Sequence, residues 1–151
     1  MRYKNIVFSI APIASVAILG SVFFKIGQDW YMKLNRPSMW PPDLVFPILW
    51  TTIYTLFALY LYTTLKEDKL SRKEMIYLII NGALNILWCL LFFTFKMTFL
   101  GLIVIILNAV MSILLVLEIE KKNKKFGMIL SIYPIWMLIA TALNLATWIL
   151  N

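Results

Sequence analysis

The residues of this sequence that can do chemistry are mostly aromatic. Six tryptophans, seven tyrosines and ten phenylalanines occur in 151 residues, beside eight methionines, one cysteine and no histidine. Without histidine the chain lacks the commonest metal ligand and acid–base group, and Cys89 alone can form no internal disulfide. The sequence has no phosphate-binding glycine loop, no metal cluster and no Ser/His or Cys/His nucleophile set. Hydrolysis and metal-assisted catalysis are therefore not expected, and no cofactor is implied. What remains is recognition: aromatic rings stack on flat molecules, and indole N–H and amide groups make directed hydrogen bonds. Met and aromatic side chains together give an adaptable apolar surface suited to flat, bulky ligands, although they fill ordinary cores equally well.

The spacing of these residues is helical. Asn81, Asn85, Trp88 and Phe92 fall at i, i+4, i+7 and i+11, one face of one helix. Two amides on a face surrounded by hydrocarbon need partners, either another helix or a lined cavity. Trp136, Ala140, Leu143 and Thr147 repeat the pattern near the C-terminus, with Asn144 at the edge of the stripe. Pro47, Trp50, Tyr54 and Ala58 make a third stripe, with Pro47 placed to start or bend its helix.

The elements carrying these stripes follow from composition. Of all residues 62% are hydrophobic and 14% charged, and mean hydropathy is +0.86. A soluble domain of this size cannot hide so much apolar surface in one core. Five stretches carry no charge: Asn5–Phe24, Leu44–Leu65, Met75–Phe95, Met97–Leu117 and Phe126–Asn151. Each reaches the roughly 20 residues that a membrane-crossing helix needs, and in lipid the backbone must satisfy itself within the helix. The expected fold is an all-α membrane protein, a five-transmembrane-helix bundle in a single domain over residues 1–151, with one long loop between the first and second helices. Arg2 and Lys4 ahead of the first span resemble a secretory leader, but the apolar run is too long and no cleavage pattern follows it.

An odd number of spans puts the termini on opposite sides. Arg2, Lys4, Lys66, Lys69, Arg72, Lys73, Lys121, Lys122, Lys124 and Lys125 share one side, and only Lys25, Lys33, Arg36 and Lys96 the other. The positive-inside rule places the first set in the cytoplasm. The net charge of +7 is thus read as water-side loops, not as a nucleic-acid surface.

The long connection, Lys25–Asp43, is not a flexible linker. It holds Trp30, Tyr31, Leu34, Met39 and Trp40, stiffened by Pro37, Pro41 and Pro42. Side chains of that size fold back on something apolar: the lipid interface, or a cavity between the helices that the loop closes as a lid. Asp43 stands at the start of the second helix, where a carboxylate suits the helix dipole.

These residues resemble the tryptophan-rich sensory protein / translocator protein family (TspO/MBR, peripheral benzodiazepine receptor-like). Trp30-Tyr31-x-x-Leu34-x-Arg36-Pro37-x-x-x-Pro41-Pro42 looks like the family signature, continued by Phe46-Pro47-x-x-Trp50-Thr51-x-x-Tyr54. Further matches are Ala83-Leu84-Asn85-x-x-Trp88 with Phe92, Phe93 and Lys96, and Tyr133, Trp136 and Ala140-Thr141-x-Leu143-Asn144. The resemblance covers the whole chain. Departures are Met39 where the signature has Trp, Cys89-Leu90 where it has two prolines, Pro134 just after Tyr133 where the family's proline precedes the tyrosine, and Val104 at a position that is commonly acidic.

The resemblance implies binding of protoporphyrin IX or haem-like tetrapyrroles, and of cholesterol-like and isoquinoline or benzodiazepine-type ligands. It implies sensing, sequestration or transport of tetrapyrrole in a bacterial-type cell membrane. The ligand-binding set is then Trp30, Trp40, Pro47, Trp50, Tyr54, Asn81, Asn85, Trp88, Phe92, Trp136, Ala140, Leu143 and Asn144; Lys33 and Arg36 near the mouth are placed either to pair with porphyrin carboxylates or to stand as solvated loop charges. An alternative is light- and oxygen-dependent porphyrin breakdown, with Trp50 and Trp136 as the catalytic residues. A homodimer is expected through the small-residue rows Ala11/Ser15 and Ala17/Ser21 or through the fourth helix, whose shared Asn108/Ser112 face suits helix packing or a dimer contact alike.

Overall fold

The computed structural model describes residues 2–151. Its helices are α1 (Arg2–Tyr31), α2 (Val45–Lys66), α3 (Arg72–Cys89), α4 (Thr98–Lys122), α5 (Lys124–Leu130) and α6 (Ile132–Leu150), and α3 runs on into a π-helical turn at Leu90–Thr94. Five segments are long and apolar enough to cross a membrane, with α5 and α6 together making the fifth. The chain is a multi-pass integral membrane protein built as the expected five-helix bundle.

The innermost helix is α4. It lies between α3 and α6 and buries Ile105, Asn108, Ser112, Leu115 and Ile119. On one side α1 packs against α2, α3 and the π-helical turn, and α2 closes the ring against α5 and α6. Polar groups inside are paired across helices. The Asn81 amide donates to Asn108 Oδ1 at 2.7 Å, and the Tyr133 hydroxyl donates to Asn81 Oδ1 at 2.7 Å, so α3, α4 and α6 are tied at one level. Asn81 is thus the interhelical link that its position allowed. The Asn108/Ser112 face of α4 is internal, so of its two expected uses, helix packing or a dimer contact, it serves packing within the chain.

Helix ends differ from the gaps between charges. The first helix continues through Lys25 and Asp29 to Tyr31, so the long connection is Met32–Leu44 and Trp30 and Tyr31 belong to a helix. Charge marks where a helix leaves hydrocarbon, not where it stops, and a 30-residue helix is about 45 Å long against a core of roughly 30 Å. The extension is held by close packing. A Cβ on Gly27 would run into the Phe93 carbonyl oxygen, so the α1 and π-turn backbones touch there. Within the π-helical turn Phe92 and Phe93 are both buried.

The last span is broken at Ser131. Pro134 has no N–H to offer the preceding turn, and Asn123 caps α5 by accepting from the Phe126 N–H at 3.1 Å. At the same end of the bundle, Ser71 and Glu74 form a reciprocal capping box for α3. Glu74 is fully buried and also accepts from the Tyr60 hydroxyl and the Lys122 ammonium, while Lys122 donates to the Lys69 carbonyl. One carboxylate therefore joins α2, α3 and α4.

Candidate functional site

The connection between α1 and α2 lies across the opposite end of the bundle. Its backbone turns are closed by Trp40 N–H to Pro37 O at 3.0 Å and Val45 N–H to Pro42 O at 2.9 Å. Asn35 N–H donates to Asn151 Oδ1 at 2.9 Å, tying the segment to the C-terminal end of α6. Arg36 pairs with Asp43 at 2.8 Å, donates to the Tyr31 carbonyl at 3.1 Å, and sits over the Tyr31 and Trp40 rings at 4.5 and 5.3 Å. The segment is a braced lid with Trp40 turned inward. Of its two basic residues, Arg36 is engaged with Asp43, and Lys33 is exposed.

Beneath the lid the aromatic side chains form a continuous wall. Trp30 meets Phe92 at 5.6 Å and Trp88 stacks on Phe92 at 5.3 Å. Trp40 stacks on Phe46 at 6.4 Å, and Phe46 meets Trp136 edge-on at 5.4 Å. Deeper, Trp50 stacks on Tyr54 at 5.5 Å and lies 6.3 Å from Tyr133. The Trp88 indole donates to Asn144 Oδ1 at 2.9 Å, and the Asn144 amide donates to the Thr98 carbonyl at 2.8 Å. Asn144 is thereby an anchor for the Trp88 ring. Three buried donors are left without an acceptor: Arg36 Nε, Trp40 Nε1 and Trp136 Nε1. All three lie along the lid side of the aromatic wall.

The sequence-derived set is split in space. Trp30, Trp40, Trp88, Phe92, Trp136 and Asn144 gather at the lid end. Ala140 is buried beside Trp136 and Asn144 on one face of α6, with Leu143 half-buried. Tyr54, Asn81 and Asn85 instead line a second space, a cleft of about 550 Å³ between α1, α2 and α3. Pro47 is exposed on the first turn of α2, where its missing N–H costs the helix nothing. Phe46, which links Trp40 to Trp136, stands four residues before Trp50 and so on the same stripe, at whose first position the sequence reading placed Pro47 instead. Glu74 carried a readable signal, Ser followed three residues later by Glu, but it lies at the edge of its charge-free span.

Among the described residues no group of His, Cys, Asp or Glu is placed to hold a metal ion. The arrangement can stack flat rings and offer N–H donors to acceptors.

Comparison with known proteins agrees along the whole length. The chain is 32% identical to the Tryptophan-rich protein TspO of Archaeoglobus fulgidus, across 100% of this chain and 99% of that protein. It is 30% identical to the Tryptophan-rich protein TspO of Chlorobaculum tepidum, across 91% of this chain and 89% of that one. A Tryptophan-rich sensory protein of Cereibacter sphaeroides is 28% identical across 82% and 78%. The TspO/MBR family model matches residues 8–149, and with the five-helix bundle and its tryptophan-lined lid this chain belongs to the TspO/MBR family.

Proposed function

We propose that the protein binds a tetrapyrrole of the protoporphyrin IX or haem class beneath the 32–44 lid, and that it senses, sequesters or moves that pigment in the membrane. The observation that carries this reading is the row of acceptor-less donors, Arg36 Nε, Trp40 Nε1 and Trp136 Nε1, set along stacked aromatic rings. A buried N–H without a partner is costly, so the site favours a molecule that brings acceptors. A macrocycle with a wide π-face and carboxylate arms offers both stacking area and acceptors. The sensory name of the Cereibacter sphaeroides relative fits a role in reporting such a ligand.

The test is a titration of the purified protein with protoporphyrin IX in darkness, followed by absorbance and tryptophan quenching. A saturable shift of the porphyrin absorption band is expected, and Trp40→Phe should weaken it by about three- to tenfold, the value of one hydrogen-bonding aromatic contact. Absence of saturable binding by the parent protein would overturn the reading. Flux of bound pigment in sealed vesicles separates transport from sequestration.

A further inference from the structure

At the end of the bundle away from the lid, a hollow of about 480 Å³ lies between α3 and α4. Its rim is charged and its floor is not. Lys73 and Tyr77 come from α3, Glu118, Glu120 and Lys121 from the end of α4, and Lys124 from the start of α5. The floor is Leu114 and Leu117, both exposed. With the exposed Leu107 and Val110 they continue the Lys121 position along one face of α4 at helical spacing. From Leu107 to Leu117 this row covers about 15 Å at the helical rise, running into the depth where acyl chains lie. Tyr77 stands where charge gives way to aliphatic side chains, the usual depth of an interfacial aromatic ring.

The rim gathers cations closely. Lys73 and Lys121 both donate to the same Glu118 oxygen, at 3.0 and 2.9 Å. Their ammonium groups therefore stand within about 6 Å of each other and repel. Each spends one of its three N–H donors on Glu118. Lys124 is exposed and forms no ion pair with another described residue. An anion seated among the three lysines relieves the repulsion and uses the donors left over. Glu120 on the same rim restricts which anion: a doubly charged phosphate meets it as a like charge, whereas a singly charged diester whose head carries hydroxyls can donate to it.

We infer that this hollow seats an anionic phospholipid of the surrounding leaflet, one whose head bears hydroxyl groups. Its phosphodiester lies among Lys73, Lys121 and Lys124, its hydroxyls face Glu120, and one acyl chain follows the Leu107–Leu117 row of α4. The charge of the whole end agrees, with ten basic residues against Glu67, Asp68, Glu74, Glu118 and Glu120. Basic pockets between membrane helices at such an end suit anionic headgroups. The site is built on α3, α4 and the first residue of α5, and it does not rest on the lid-end reading.

The experiment uses the full chain in phosphatidylcholine nanodiscs doped with a diazirine-bearing phosphatidylglycerol, and in parallel with the matching phosphatidylcholine and phosphatidylethanolamine probes. Phosphatidylglycerol should label the facing ends of α3 and α4 at least about fivefold more than either of the others, and Lys121→Gln should lower that labelling about fivefold, the worth of one lysine near a bilayer surface. Lys73→Gln with Lys121→Gln should bring it down to the phosphatidylcholine level. Lys4→Gln with Lys66→Gln removes the same charge from α1 and α2 at the same end and should leave the preference standing. Excess inorganic phosphate should not compete. An unchanged protoporphyrin IX titration, or an unchanged unfolding temperature if the parent protein binds none, checks the fold of each variant. Equal labelling by phosphatidylglycerol and phosphatidylcholine would overturn the inference, as would a phosphatidylethanolamine probe that labels as strongly. So would a preference that survives the Lys73/Lys121 pair of changes, or one that Lys4/Lys66 abolishes equally, which would mean a diffuse field and no seat. Displacement by phosphate would assign the hollow to a free anion and overturn the lipid.

Discussion

Trp136 and Trp50 occupy unlike surroundings although both lie on aromatic stripes. Trp136 is 3% exposed, has an unpartnered N–H and meets Phe46 edge-on, while Trp50 is half-buried and stacked on Tyr54. Replacing either by Phe keeps an apolar ring and removes the indole N–H. Because Trp136 stands beside the orphaned donors, Trp136→Phe should weaken dark protoporphyrin binding by about 0.5–1.5 kcal/mol, and Trp50→Phe by less. If pigment is also consumed in light and oxygen, its loss in these variants should drop far more than affinity. Equal falls in both quantities would confine the two residues to binding, and no light-driven loss in the parent protein would remove the photochemical alternative. At this scale the aromatic and amide residues were legible from helical spacing. Their partners were not: that Trp88 donates to Asn144, 56 positions away, or that Asn81 links Asn108 to Tyr133, depends on how helices face one another.

The elements were legible as spans because every charge-free stretch long enough to cross hydrocarbon became helical, the last of them as α5 and α6 together. Their ends and irregularities follow from contacts that charge does not encode. The extension of α1 to Tyr31 needs the touching backbones at Gly27 and Phe93, and the π-helical turn at Leu90–Thr94 follows directly on Cys89. These two features depend on each other. Adding a methyl group at Gly27 must push α1 off the turn that holds Phe92 and Phe93, which removes support from Trp30 and Tyr31. Gly27→Ala is therefore expected to destabilise the protein by about 3 kcal/mol, at the upper end for overpacking, since a backbone carbonyl and not a flexible side chain is in the way. Thermal unfolding in detergent checks this. A variant that melts with the parent would mean that the two backbones part easily. Gly20→Ala, whose added Cβ meets only the Cys89 sulfur at 3.4 Å, is the matched control and should change little.

The whole molecule has two dissimilar ends and one thinly covered side. The lid end is closed by the 32–44 segment and its link to Asn151, while the other end is clasped by Glu74 and Lys122 and carries most of the basic residues. On the thin side α1 turns most of its surface outward, with Val7, Ile10, Ile18 and Val22 all exposed. Of the small-residue faces suited to a second copy, the structure removes one. Asn108 and Ser112 are buried inside the chain, whereas Ala11 and Ser15 are exposed with Ser15 at the edge of the α1–α3 cleft. The Ala17/Ser21 row lies clear of that cleft, and the Ser21 hydroxyl donates to the Ala17 carbonyl at 2.8 Å, so the row presents small, self-satisfied groups that let another helix come close. We propose that a homodimer forms across this row. Ser21 is exposed in the single chain, so Ser21→Leu leaves the interior untouched while holding a second helix away. Crosslinking in nanodiscs should show the dimer fraction falling severalfold in Ser21→Leu, with the unfolding temperature of the dissociated chain unchanged. Undiminished crosslinking would move the contact to another face. A mass measurement showing only monomer in the parent protein would end the dimer proposal, and the lid-end site, built wholly within one chain, would be unaffected.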